Sequence, residues 1–120
     1  MTRLFMLVLC IFICSGCGAS SVNQLKNSPA YSQSVKSKNG YQESLRIVKD
    51  EYAALAVGNL SCTVFPDLKM GECTLTGPTG IISVATSKYI DDASSLIDFY
   101  AAVATGYWKD NITNMVAKFR

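Results

Sequence analysis

Residues 60–86 read LSCTVFPDLKMGECTLTGPTGIISVAT. Apolar and polar residues alternate through 60–65, the pattern of a strand with one buried face. Pro66-Asp67-Leu68-Lys69 and Gly77-Pro78-Thr79-Gly80 are turn sequences, so two further strands follow, at 70–76 and 81–86. The two turns set a register. A four-residue loop at 66–69 pairs Phe65 with Met70 and places Cys62 opposite Cys73. A loop at 77–80 pairs Thr76 with Ile81, Leu75 with Ile82 and Cys73 with Val84. One face then carries Leu60, Cys62, Val64, Cys73, Leu75, Ile82 and Val84. The other carries mainly Ser61, Thr63, Glu72, Thr74, Thr76 and Ser83. Two independent turn signals converge on one apolar face, which is the agreement expected of a real three-stranded meander.

Upstream, Tyr41, Leu45, Val48, Tyr52 and Leu55 recur at steps of four and three, a continuous helical stripe. Asn39 with Gln42 three places on has the form of a capping box. Arg46 and Asp50 are spaced to pair, and Gly58-Asn59 supplies a stop. Downstream, Ala93, Leu96, Tyr100, Val103 and Ala104 form a second stripe, with Ile97 beside it. After Thr105-Gly106, the positions Trp108, Ile112, Met115 and Phe119 repeat the spacing. The predicted fold is therefore α+β: a helix, a three-stranded antiparallel meander, then one kinked or two separate C-terminal helices. A sheet with a single apolar face has its helices on that face. The order resembles the double-stranded RNA-binding fold in topology. A helix opening on Asp91 and Asp92 lacks that family's basic end, so nucleic acid is not an expected partner.

Residues 18–39 are polar and rich in Ser and Asn, with Lys26, Lys36 and Lys38 and no acid. They read as a flexible tether that could reach roughly 70 Å when extended. The lysines could lie on anionic headgroups, and Tyr31 to Val35 could add an edge strand.

At the start of the chain, Arg3 precedes an apolar run from Leu4 to Cys14, then Ser15-Gly16-Cys17. This resembles a bacterial lipoprotein precursor, with Cys14-Ser15-Gly16-Cys17 in place of the cleavage motif. The family usually has Leu where this chain has Cys14; Ser15 and Gly16 fit. The resemblance implies removal of residues 1–16 and acylation of Cys17, including a palmitate-type chain. More than one acyl chain is what stable anchoring requires. Gly18, in place of the Asp that retains enteric lipoproteins at the inner membrane, implies the periplasmic face of the outer membrane. Cleavage after Ala19 to a soluble product and an uncleaved anchor are the alternatives. The expected organisation is a signal peptide at 1–16, a lipidated cysteine and tether at 17–39, and a small α+β domain at 40–120.

Loss of 1–16 removes only Arg3 of the eleven basic side chains, leaving ten against nine acids. No basic block exists. Of five cysteines, Cys10 and Cys14 leave with the leader and Cys17 takes lipid. Cys62 and Cys73 remain, and a disulfide is the expected state in an oxidising compartment. A zinc site would need two more ligands, and the chain has no histidine. The missing histidine also excludes Ser-His-Asp and Cys-His catalysis. There is no Gly-rich nucleotide loop, and no cofactor or metal is expected. Asp91 and Asp92 read as acids in a first helical turn, and with Asp98 they make a poor calcium site. The expected partner surface comprises Phe65 and Met70, paired on the polar face of the sheet, with Phe99 and Tyr107, which fall off their helical stripes.

These features predict no enzyme. They point to a non-catalytic envelope lipoprotein that binds a protein partner. A toxin-immunity or phage-exclusion lipoprotein is the alternative, and a small envelope enzyme the third reading.

Overall fold

The computed structural model describes residues 19–120; the leader, Cys17 and Gly18 lie outside the described residues. In chain order the elements are α1 (Val22–Asn27), β1 (Tyr31–Ser37), α2 (Tyr41–Ala54), β2 (Asn59–Phe65), β3 (Met70–Gly77), β4 (Gly80–Asp91), β5 (Ser94–Ala101) and α3 (Gly106–Ala117). The strands form one antiparallel sheet in the order β1-β5-β4-β3-β2. The class is α+β as expected, but in place of a three-stranded meander with one kinked or two C-terminal helices the described residues form five strands and three α-helices.

Residues 91–104 form no helix, against the expectation from their spacing. Strand β4 runs on to Asp91, the chain turns, and β5 returns as a strand. The Asp91 carboxylate accepts from the Ala93 N–H at 2.8 Å and closes that turn. The short segment satisfies both periods. Leu96, Tyr100 and Val103 fit a helical stripe, yet Ser95, Ile97, Phe99 and Ala101 alternate and are all buried. Strand pairing decides the outcome, because β5 bonds to β4 on one side and β1 on the other. The segment read as a tether is folded: the edge strand expected at Tyr31 to Val35 is present as β1, pairing Val35 with Ile97, and α1 lies against the sheet through Leu25, which is fully buried.

Cys62 faces Cys73, Phe65 faces Met70 and Thr76 faces Ile81, in the register the turns dictate. Beyond Thr76 the ladder shifts. Leu75 pairs with Ser83 and Cys73 with Ala85, because β4 bulges at Ile82. A one-residue bulge exchanges the faces of everything after it. Val84 therefore leaves the face expected for it and packs against Leu25 and Ala19 on the other.

Ser83 takes its place on the apolar face and needs partners there. Its hydroxyl donates to the Tyr100 carbonyl at 2.7 Å and accepts from the Tyr52 hydroxyl at 2.8 Å. Burial pushes the Tyr52 phenol well above its ordinary value, opposed only in part by the Ser83 bond. In the unfolded chain this phenol ionises near pH 10, whereas the folded chain holds the proton. Its contribution to stability is complete below that pH and is lost above it, by up to about 1.4 kcal/mol per pH unit. Tyr52→Phe should flatten this alkaline slope, as measured by urea midpoints between about pH 8 and 11.

Helices α2 and α3 cover the apolar face. Leu45, Val48 and Tyr52 from α2 meet Trp108, Ile112, Met115, Val116 and Phe119 from α3 over Cys73, Leu75, Ala85, Ile97 and Phe99. The close approach of α2 depends on Gly71. A Cβ there would lie 2.4 Å from Leu45 Cδ2. The helix starts one residue later than a capping box at Asn39 and Gln42 requires. Its N-cap is Gly40, without a side-chain cap bond. The Asn39 carbonyl instead accepts from Ser95 Oγ at 2.8 Å, and Ser44 Oγ lies 2.8 Å from both Ser37 Oγ and Ser95 Oγ. This buried hydroxyl cluster ties α2 to β1 and β5. Arg46 pairs with Asp50 at 3.0 Å and with Glu43 on the exposed side. The chain leaves α2 through Ala56 and Gly58, both with positive φ, and a Cβ on Gly58 would meet the Thr76 carbonyl oxygen at 2.5 Å.

Candidate functional site

The end of β2 and the turn that follows it present two large apolar side chains to solvent. Phe65 is 39 % exposed and Leu68 is 70 % exposed. Phe65 and Met70 are directly opposed in the ladder, on the face that α1 covers only in part. Pro66 opens a 3-10 turn, and Lys69 ends it with φ 49°, its N–H donating to the Pro66 carbonyl at 3.1 Å. This tight turn leaves Leu68 outside the core, at the rim of the depression that Phe65 and Met70 line.

Val22 and Lys26 of α1 form the facing wall. Together with Phe65, Leu68, Met70 and Glu72 they bound an open depression of about 330 Å³. Lys26 Nζ lies 2.5 Å from a Glu72 carboxylate oxygen, and both side chains are largely covered. The one charge pair in the wall is thus internally neutralised, and what the depression offers a partner is apolar contact area. Ser21 at its rim is occupied as the N-cap of α1, its Oγ accepting from the Gln24 N–H at 3.1 Å.

The four residues expected to form a partner surface separate into three places. Phe65 and Met70 stand together in the depression. Phe99 is fully buried, with its ring centroid 6.5 Å from Tyr52 and 6.4 Å from Phe119. It falls off the stripe of a helix that does not exist and sits on the buried row of β5. Tyr107 is half exposed in the first turn of α3, edge-on to Trp108 at 5.4 Å, and belongs to the opposite end of the molecule. Sequence reasoning missed Leu68, Val22 and Lys26. A leucine inside a four-residue turn was a usable signal, since no strand or helix period can bury it. The wall supplied by α1 had no local signal.

The acids form no joint site. Asp91 holds the β4–β5 turn, and Asp92 accepts from the Tyr89 hydroxyl at 3.1 Å. Asp98 lies inside β5, where it bonds Ser34 Oγ and pairs with Lys88 at 3.6 Å. Glu72 and Asp98 flank Thr86 in one cross-strand row, but each has its own lysine. Among the described residues, no group of three or more Asp, Glu, Cys or His could hold a metal ion. Cys62 and Cys73 are disulfide-bonded, with Cα atoms 4.1 Å apart. The bond joins the edge strand β2 to β3 beneath α2, and Cys73 is wholly buried.

Comparison with known protein families and with curated proteins finds no match to this chain.

Proposed function

We propose that this protein is a lipid-anchored, non-catalytic accessory protein of the cell envelope that binds a protein partner through the Phe65–Leu68–Met70 depression. The observation that carries the reading is that cluster: three neighbouring apolar side chains at one corner of the fold, two of them well exposed, beside a wall whose charges are already paired. Contiguous exposed apolar side chains of this kind anchor interfaces when a partner's apolar group excludes water from them. The anchor rests on the leader and on Ser15-Gly16-Cys17. A hairpin disulfide supports an oxidising compartment, since such bonds persist outside the cytoplasm. No helix among the described residues is long and apolar enough to cross a membrane.

A photo-cross-linking residue at Leu68 in intact cells tests the binding face. One discrete adduct is expected, and Phe65→Ser should reduce its yield about tenfold, the effect of losing an interface anchor. Adduct patterns identical to those from a control probe at Ser32, on the opposite edge strand, would refute this surface. Capture of a secreted toxin or a phage protein by the same probe would favour the immunity or exclusion role over an assembly role.

A further inference from the structure

The first described residue is already part of the sheet. The Ala19 N–H donates to the Ile81 carbonyl at 2.9 Å, and the Ile81 N–H donates back to Ala19 at 2.8 Å. Cys17 precedes Ala19 by two residues, so their Cα atoms are at most about 7.6 Å apart. An acyl group on Cys17 would therefore leave no leash between the lipid and the fold. The end of the sheet where Ala19 is fixed would lie against the bilayer.

That end is unusual in composition. The strand register gathers four segments there: 28–31, 55–59, 76–82 and 101–107. None of their 23 residues is charged, although Lys109 of α3 brings its Nζ to 5.8 Å from the Tyr31 ring centroid at this end. The whole chain is 17 % charged, so about four charges would be expected among 23 residues. In their place stand Val57, Pro78, Ile81, Ile82, Val103 and the half-exposed Tyr107, separated by Gly, Ala, Ser and Thr. The opposite end of the same strands carries Lys36, Lys38, Asp67, Lys69, Lys88, Asp91 and Asp92. A charge-poor surface with an exposed tyrosine and a lysine beside it suits the headgroup boundary of a bilayer, where tyrosine is enriched and a lysine stem lies along apolar surface with its ammonium among the headgroups.

We infer that this charge-poor end, around Ala19, Thr79, Ala104 and Tyr107, is a membrane-apposed face that seats the domain directly on the lipid surface, strands upright. The inference rests on acylation of Cys17 as proposed above. It also orients the partner site. Strand β2 has seven residues, with Asn59 at the membrane end and Phe65 at the other. It holds the Phe65–Leu68 corner about 20 Å further from the bilayer.

The test uses the full chain, matured in cells and reconstituted in phospholipid vesicles containing nitroxide-labelled lipid. Thr79→Cys, Ala104→Cys and Asp67→Cys each add one free thiol for an environment-sensitive fluorophore; the native pair Cys62 and Cys73 stays oxidised. Quenching by the lipid nitroxide should be at least about twofold stronger at Thr79 and Ala104 than at Asp67, as expected for contact limited to one end. Equal quenching at both ends, in chains that carry acyl label, overturns the apposed face while leaving the anchor intact. Absence of acyl label overturns the anchor and the face together. A blue-shifted fluorophore at Thr79 without nitroxide quenching would mean that protein, not lipid, covers this end, and also overturns the inference.

Discussion

Phe99→Ala should cost about 3–5 kcal/mol, the range for emptying a fully buried phenylalanine site. The ring is wholly buried on the middle row of β5, packed between Tyr52 beneath α2 and Phe119 at the end of α3. Removing it leaves a void where both helices meet the sheet, and neither can collapse onto it without losing its own contacts. Domains of this size have only about 5–15 kcal/mol of stability in total, so the variant should be near its unfolding threshold at physiological temperature. Urea titration followed by circular dichroism measures the loss. A change below about 1 kcal/mol would place Phe99 on the surface, as the helical reading of 91–104 requires, and would sink the five-stranded arrangement.

Replacing Cys62 and Cys73 together by alanine should cost about 2–3 kcal/mol, from the freedom regained by a loop with eleven residues of separation. In a domain of about a hundred residues that lowers the melting temperature by roughly 10–20 °C. The effect should concentrate on β2. This strand is bonded to the sheet only through β3, and most of its residues are exposed. It also contains no charge and no proline, so once loosened it is an unprotected edge that can pair with another chain. Hydrogen exchange should therefore show β2 amides opening first in the variant, and the unfolded fraction should aggregate. Equal stability with and without a reductant in the wild-type chain would show that the bond holds nothing the ladder does not already hold.

The candidate site was half legible before the fold. Phe65 and Met70 follow from the turn at 66–69, because a four-residue loop leaves one register open to the strands it joins. Tyr107 is exposed, as its place off the Trp108 stripe implies, but it joins the charge-poor end and not the depression. Phe99 is buried and not exposed: its neighbours satisfy the helical and the strand period at once, and a segment of eight residues is too short for periodicity to separate them.

Local physics determined the hairpins from 59 to 81, the opposition of Cys62 and Cys73, the apolar stripe of α2 and the final helix. Each depends on residues within a few positions of one another: turn formers, alternation, or a step of three and four. Tertiary structure alone decided the rest. Strand β5 exists because β1, paired with it from Ser37↔Ser95 to Tyr31↔Ala101 across a long stretch of chain, supplies its second edge. The bulge at Ile82 exists within a ladder whose two sides must both be covered, and it sends Val84 to α1 and Ser83 to the hydroxyl of Tyr52. The segment that looked like a tether is folded for the same reason. Residues too scattered to bury themselves, Leu25 and Val35, become buried once a sheet is there to receive them. Free energy of that kind comes from contacts between distant parts of the chain, and no window of local sequence contains it.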